Sequence, residues 1–170
     1  MRRVMVIGCS GAGKSALARR LAKALALPLI ELDFLYWHAG WVETPMSEFR
    51  DVIARFADWP AWIIDGNYST SFDLRMPFAD TIVWLDYARA ACMRGVLTRM
   101  IRHYGHTRAG MPEGCPERVD PVFLRYVWNF NVRQRPLIVA ALEKFAGHAR
   151  LHRLESRKDG ERFMATIEQR

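Results

Sequence analysis

The sequence predicts a three-layer α/β/α fold built on a five-stranded parallel sheet. Three observations lead there. The runs Val4–Ile7, Leu29–Leu32, Trp62–Ile64 and Thr81–Leu85 are short and almost wholly apolar, as strands buried on both faces must be. Stretches with helical spacing separate them, as crossover connections between parallel strands require. A glycine-rich turn, Gly8–Ser15, joins the first strand to the first helix.

The elements follow in order. Val4–Ile7 ends at Gly8 and reads as a central strand. From Lys14 to Ala26, Leu17, Leu21 and Leu25 recur at i, i+4 and i+8, one face of a helix that Pro28 ends. Leu29–Leu32 is the second strand, closed by Asp33. Phe34, Tyr36, Trp37, His38 and Trp41 then form an aromatic loop. Thr44 is the expected N-cap, with Pro45 at the first helical position, of a helix reaching about Asp58. Trp59-Pro60 breaks it. The third strand runs into Asp65-Gly66-Asn67 and the fourth ends at Asp86. A helix with Arg94, Arg99 and Arg102 along it spans Ala88 to about His103. Three glycines and two prolines within Gly105–Pro116 mark a loop or lid. Asp120-Pro121 opens a further helix with Phe123, Val127 and Phe130 on one face, and Pro136 marks a kink or a new start. Leu151–Leu154 is the fifth strand, and the last helix begins near Lys158. With no internal repeat or linker, residues 1–170 are expected to form a single domain.

The chain has 170 residues, 51% hydrophobic and 25% charged, which is ordinary for a globular protein and excludes a disordered or fibrous chain. Its size lets it bury roughly 70% of its unfolded surface, so no disulfide or metal is needed for folding. Cys9, Cys92 and Cys115 are too few for a disulfide framework. The apolar stretch after Met1-Arg2-Arg3 is too short for an export signal, and no run is long enough to span a membrane. A cytoplasmic protein with reduced thiols, monomeric or homodimeric, is the expectation.

Charge is distributed unevenly. The net is +7, yet residues 1–88 carry 9 basic and 10 acidic side chains while residues 89–170 carry 16 and 8. Of the 25 basic residues 21 are Arg, whose planar fork suits phosphate oxygens. A GC-rich genome would explain the ratio but not the clustering. The partner is expected to carry phosphate: a nucleotide, or nucleic acid.

The chemistry-bearing motif is Gly8-Cys9-Ser10-Gly11-Ala12-Gly13-Lys14-Ser15, which fits G-x-x-x-x-G-K-[ST], the P-loop, with the required strand before it and helix after it. Gly8, Gly11 and Gly13 let the backbone wrap an anion, and Ser10, Ala12 and Ala16 supply further backbone N–H groups. The helix starting near Lys14 turns its positive end to the phosphates. Lys14 should reach the β- and γ-phosphates of ATP, and the Ser15 hydroxyl should ligate Mg²⁺. A second carboxylate is needed for the Mg²⁺ shell, partly through water. Asp65 is preferred, because the Gly66-Asn67 turn brings the chain near the phosphates; Asp86 reads as a helix N-cap. Asp33 should face the same cleft at the carboxyl ends of the strands, orienting the acceptor or a metal-bound water. Arg75 is a candidate for the acceptor side, and Trp37 and Trp41 for stacking on a base. Cys9, within a positive loop, is expected to have a lowered thiol pKa. His103, His106 and Cys115 match no zinc spacing. The arginines around the lid, Arg99, Arg102, Arg108, Arg133 and Arg135, suit the charge that spreads over a transferred phosphoryl group.

The runs VMVIGCSGAGKSALARRLA, ELDFLYWHAGW, WIIDGNY and GMPEGCPERVD resemble the adenylate-kinase-related P-loop proteins labelled DNA topology modulation proteins, over about residues 3–158. The resemblance implies a nucleoside-monophosphate-kinase-like P-loop NTPase fold with ATP at Gly8–Ser15, an acceptor-binding segment at about 34–60 and a small Arg-rich lid at about 104–119. It further implies that Arg99 and Arg102 meet ATP, that Arg133 and Arg135 meet the transferred phosphate, and that Arg157, after the last strand, lies where adenine is held. The acceptor segment is short and aromatic and lacks a Thr-Gly-Asp-Met-type start, and Asn67-Tyr68 stands where adenylate kinases carry Phe-Pro-Arg. Two functions follow. One is a phosphotransferase moving the γ-phosphoryl group of ATP, with Lys14, Asp33, Asp65, Arg102, Arg133 and Arg135 as its catalytic set, to a small-molecule or nucleotide acceptor such as a polyol or acid. The other is a nucleic-acid-associated regulator switched by ATP, less favoured because no recognition signature appears.

Overall fold

The computed structural model describes residues 1–169. Five parallel strands form one sheet in the order β2-β5-β1-β6-β7: β1 (Arg3–Gly8), β2 (Leu29–Glu31), β5 (Trp62–Asp65), β6 (Thr81–Leu85) and β7 (Arg150–Leu154). The register pairs Val4 with Ile63 on one side and with Thr81 on the other. β1 is thus central, with Val4, Met5, Val6 and Ile7 wholly buried, and β7 is an exposed edge with only Leu154 buried. α1 (Lys14–Leu25), α3 (Met46–Ala57), α5 (Arg89–His103), α6 (Pro121–Arg133), α7 (Arg135–Phe145) and α8 (Arg157–Glu168) supply the outer layers. No described helix is long and apolar enough to cross a membrane.

Several local expectations are corrected. The segment after β2 is not an aromatic loop. It forms helix α2 (Leu32–Tyr36) and a small antiparallel hairpin, β3 (Trp37–His38) and β4 (Val42–Glu43). Asp33 accordingly sits in the first turn of a helix and not at a strand end. Thr44 is not the N-cap of α3, a position taken by Pro45. Its hydroxyl lies 2.9 Å from the carbonyls of both Leu35 and Tyr36 and holds the end of α2 against the hairpin. Asp86 is not an N-cap either. Ala88 holds that position, and Asp86 receives Arg135 Nε at 3.0 Å and Arg153 Nη2 at 2.7 Å. Those two guanidiniums lie over the ring of Trp84, at 5.5 and 5.3 Å. Asp120 does cap α6, its Oδ1 accepting from Val122 N and Phe123 N.

Arg75, at the end of the one-turn helix α4 (Phe72–Arg75), is fully buried and does not face an acceptor. Its guanidinium donates to the carbonyls of Gly66 at 3.1 Å and Asn67 at 2.8 Å, and to Ser71 Oγ at 3.1 Å. Burial pulls it down to about 9, with Asp65 acting in the opposite sense. The buried cation therefore shapes the turn that follows Asp65.

Helix α5 approaches the glycine-rich loop so closely that a Cβ at Gly95 would overlap the carbonyl of Gly11. Both partners are backbone, so neither can move without displacing the loop. Gly95→Ala should lower stability by about 2 kcal/mol, overpacking outweighing the better helix propensity of alanine. Chemical denaturation checks this; a stabilised variant would contradict the close contact.

Candidate functional site

The loop Gly8–Ser15 leaves the carboxyl end of the central strand and runs into α1 at a crevice flanked by β5 and β6. Gly11 and Gly13 take φ of 81° and 98°, a backbone that turns successive N–H groups to one side. Gly13 is the N-cap of α1, no side chain caps that end, and the first turn holds no acid. The positive end of the helix is therefore left without a capping side chain or an acid of its own first turn. Lys14 Nζ donates to Cys9 O at 3.1 Å, keeping the ammonium over the loop. The thiol of Cys9 is not activated: a hydrogen bond with Cys92 and burial push it up, and Cys92 is pushed down as the acceptor.

Asp65, the last residue of β5, is 5% exposed, and its Oδ1 is buried with no hydrogen-bond partner. Burial raises its carboxyl from 3.8 to about 6; the Lys14 ammonium and the Ser15 hydroxyl beside it pull the other way. An orphaned buried carboxylate oxygen next to a hydroxyl and the end of a phosphate-type loop is a donor set of the hard, oxygen-only kind that suits Mg²⁺. Among the described residues no group of three His, Cys, Asp or Glu side chains forms a self-sufficient metal cage. Magnesium here would share its shell with phosphate oxygens and water.

Asp33 faces this centre from α2. Its Oδ1 accepts from Tyr68 Oη at 2.9 Å, and its Oδ2 pairs with Arg108 Nη2 at 3.1 Å. Tyr68 is held well above the usual phenol range by burial and then by Asp33, so it stays a proton donor to that carboxylate. Tyr126 of α6 packs its ring against Phe123 and Phe130, and burial raises its hydroxyl, with further contributions from Cys9 and Asp33.

The segment 104–119 between α5 and α6 lies down over the cleft. Its tip is held by Arg19, which donates to Ala109 O at 2.8 Å and pairs with Glu31 at 2.6 Å. Its far side docks on the β3–β4 hairpin. Gly40 N donates to Gly114 O at 2.8 Å, Trp41 Nε1 to Pro116 O at 3.1 Å, and Cys115 Sγ to His38 O at 3.1 Å. Trp37 and Trp41 pack edge-to-face on each other, and Arg118 lies over Trp41 at 5.5 Å. Trp41 serves the lid–hairpin contact, and Trp37 packs against it and against Tyr36.

The expected arginines separate into four groups. Arg99 and Arg108 lie in the lid region and share the buried carboxylate of Glu117, at 2.9 and 3.4 Å. Arg102, exposed in the last turn of α5, and Arg133, at the end of α6, make no ion pair among the described residues. Arg133 and Arg125 line a cavity of about 220 Å³ with Tyr126, Asn129 and Gln134. Arg135 is taken up by Asp86. Arg157 opens α8 and acts electrostatically on Tyr87 and Cys92, behind the loop. Glu117, Tyr68, Tyr126 and Arg19 were not picked out from the sequence. Arg19 lies one helical turn beyond Ser15, and Tyr68 and Glu117 lie within the DGNY and MPEGCPE segments.

No family model matches the chain, and no curated protein sequence matches it. Solved structures do. A shikimate kinase from Bacteroides thetaiotaomicron superposes with a TM-score of 0.55 at 18% identity, covering 98% of each chain. A gluconokinase from Sinorhizobium meliloti 1021 gives 0.54 at 16% identity over 99% of this chain and 94% of that one. A sugar kinase from Janibacter sp. HTCC2649 gives 0.54 at 18% identity over 99% and 93%. At such identities the likeness is one of fold, the fold these kinases share.

A carboxyl raised from 3.8 to about 6 by folding is a net burden on the folded state above about pH 6 and none below about pH 4. The penalty is about 3 kcal/mol at the upper end. Asp65→Asn should therefore raise the melting temperature at pH 8 by roughly 5 °C, the gain vanishing as pH falls from about 6 to 4. Thermal scans across pH test this; a variant no more stable at pH 8 than at pH 4 would refute it.

Proposed function

We propose that the chain is an ATP-dependent phosphotransferase that moves the γ-phosphoryl group of Mg·ATP to a small hydroxylated or nucleotide acceptor. The observation that carries this is the Arg108–Asp33 pair: a lid guanidinium meets an acceptor-side carboxylate at 3.1 Å, over a cleft whose floor is the uncapped P-loop helix and Asp65. A phosphate-binding loop alone serves many ends. One facing a carboxylate across an arginine lid is arranged for transfer in a site closed to water.

In this reading the backbone of Gly8, Ser10, Gly11, Ala12, Gly13, Lys14, Ser15 and Ala16 cradles the phosphates, and Lys14 neutralises their charge. Ser15 and Asp65 would hold Mg²⁺, which would supply charge neutralisation for the phosphates. Asp33, oriented by Tyr68, accepts the proton of the acceptor hydroxyl as its oxygen bonds to the γ-phosphorus and the bond to the β,γ-bridging oxygen breaks. Arg99 and Arg108, with Arg102 and Arg133 at the rim, meet the charge that spreads over the phosphoryl oxygens. Arg157 marks the adenine side. Arg135 is given no catalytic part, because Asp86 already holds it. The adenylate-kinase-related grouping belongs to the same reading, supported by the DGNY and MPEGCPE segments.

Calorimetry with Mg·AMPPNP should show binding by the wild type and a loss of roughly 100-fold in Lys14→Ala. Unchanged affinity would sink the assignment of the phosphate site. With an acceptor found by screening nucleoside monophosphates, polyols and hydroxy acids for ATP turnover, Asp33→Asn should lower kcat by about 100-fold or more. A variant with undiminished kcat would remove Asp33 from the chemistry.

A further inference from the structure

Of the lid's two acids, Glu113 is exposed and Glu117 is 4% exposed. Burying a carboxylate is unfavourable unless partners surround it. Here Oε1 accepts from Arg99 Nε at 3.0 Å and pairs with Arg99 Nη2 at 2.9 Å, while Oε2 faces Arg108 Nε at 3.4 Å. The main chain of Glu117 is pinned at the neck of the lid. Its N–H donates to His106 O at 3.0 Å and its carbonyl accepts from Gly105 N at 2.9 Å. The carboxylate is thus fixed by its own backbone; it hydrogen-bonds Arg99 and ion-pairs with Arg108, whose buried Nε makes no hydrogen bond among the described residues.

Those guanidiniums repel each other. Burial, and after it the charge of Arg108, pull Arg99 below its ordinary range, with Glu117 the main opposing partner. Arg99, Arg108, Glu117 and Asp33 alternate in sign along one chain of contacts and sum to zero. Replacing one negative member by another leaves that balance intact. A phosphoryl oxygen carries the same sign as Asp33 and can take its place on Arg108 Nη2.

We infer that Glu117 is a positioning residue for phosphoryl transfer: it holds Arg99 and Arg108 side by side in the lid, so that Arg108 can exchange Asp33 for the phosphoryl group. The inference rests on the phosphotransferase reading. Arg108 latches the lid to Asp33. When the nucleotide binds, the Arg108–Asp33 contact is traded for an Arg108–phosphoryl contact, no covalent bond of either side chain changes, and Asp33 is released to receive the acceptor proton. Nucleotide binding must therefore break the latch, and apparent affinity is reduced by the fraction of molecules held latched.

The test needs no acceptor. Mg·AMPPNP binding is measured by calorimetry in wild type, Asp33→Asn, Glu117→Gln and the double variant. Asp33→Asn removes the latch and should tighten binding about 3- to 10-fold. In the Glu117→Gln background that gain should disappear, because Arg108 is no longer held in place; this is a non-additive cycle. Glu117→Asp, which keeps the charge, should restore part of the gain and stands in if Glu117→Gln does not fold. Unchanged or weakened binding in Asp33→Asn, or an equal gain with and without Glu117, overturns the inference while nucleotide binding itself still supports the phosphotransferase reading. No Mg·AMPPNP binding by wild type overturns both.

Discussion

The structure depends on one close contact, helix α5 resting directly on the backbone of the glycine-rich loop. Gly11 and Gly95 meet with no side chain between them, and Gly8 lies so near the Leu85 carbonyl that a Cβ there would collide with it. The loop is held between the end of β6 and the first turns of α5. An anion site built from backbone N–H groups is only as exact as the backbone is rigid, since such groups cannot adjust by changing rotamer. The wholly buried β1 below and the glycine contact beside it supply that rigidity. They also fix where α5 ends, and with it where the lid begins.

The lid inherits its position from this arrangement and from the hairpin opposite. Its arginines come from α5 and the loop beyond: Arg108 meets Asp33 and Arg118 lies over Trp41, while Cys115 and the lid's main chain meet His38, Gly40 and Trp41, all in the short segment after β2. Thr44 carries weight out of proportion to its size here, because its hydroxyl ties α2 to the hairpin that receives the lid. Arg75 plays the matching part on the other side, holding the carbonyls of Gly66 and Asn67 from within the core. Asp65 itself makes no salt bridge among the described residues; burial keeps its carboxyl raised against the pull of Lys14, and its Oδ1 is unpartnered.

The sheet, its strands and the glycine-rich loop were legible in the sequence because their signals are local: unbroken apolar runs, helical spacing, glycines at fixed offsets. What was missed is non-local. The aromatic run 34–41 has no regular period, and it becomes a helix and a hairpin only because Thr44 and the lid supply partners far along the chain. Asp86 precedes a helix and has the form of a cap, yet two arginines from α7 and β7 claim it. Cys9 sits in a positive loop, yet a neighbour distant in sequence, Cys92, decides how its thiol titrates. Glu117 is one acid among prolines and glycines, and nothing near it in sequence marks it as buried between two guanidiniums.

The uneven charge of the chain takes on a different meaning once these pairs are seen. The basic excess lies after residue 89, but it is not simply displayed to solvent. Arg108 and Arg135 reach back to Asp33 and Asp86, acids of the near-neutral first half, and Arg99 is matched within its own half by Glu117. A basic surface meant for a polyanion keeps its cations unpaired, so that many phosphates can be contacted at once. Here the guanidiniums nearest the cleft are already paired, Arg99 and Arg108 sharing Glu117, and on the proposed reading a phosphate would replace one carboxylate, Asp33 on Arg108. Such an arrangement favours a small ligand with few, well-placed negative oxygens over a long polyanion, and it leaves Arg102 and Arg133 as the cations at the rim without a resident partner among the described residues.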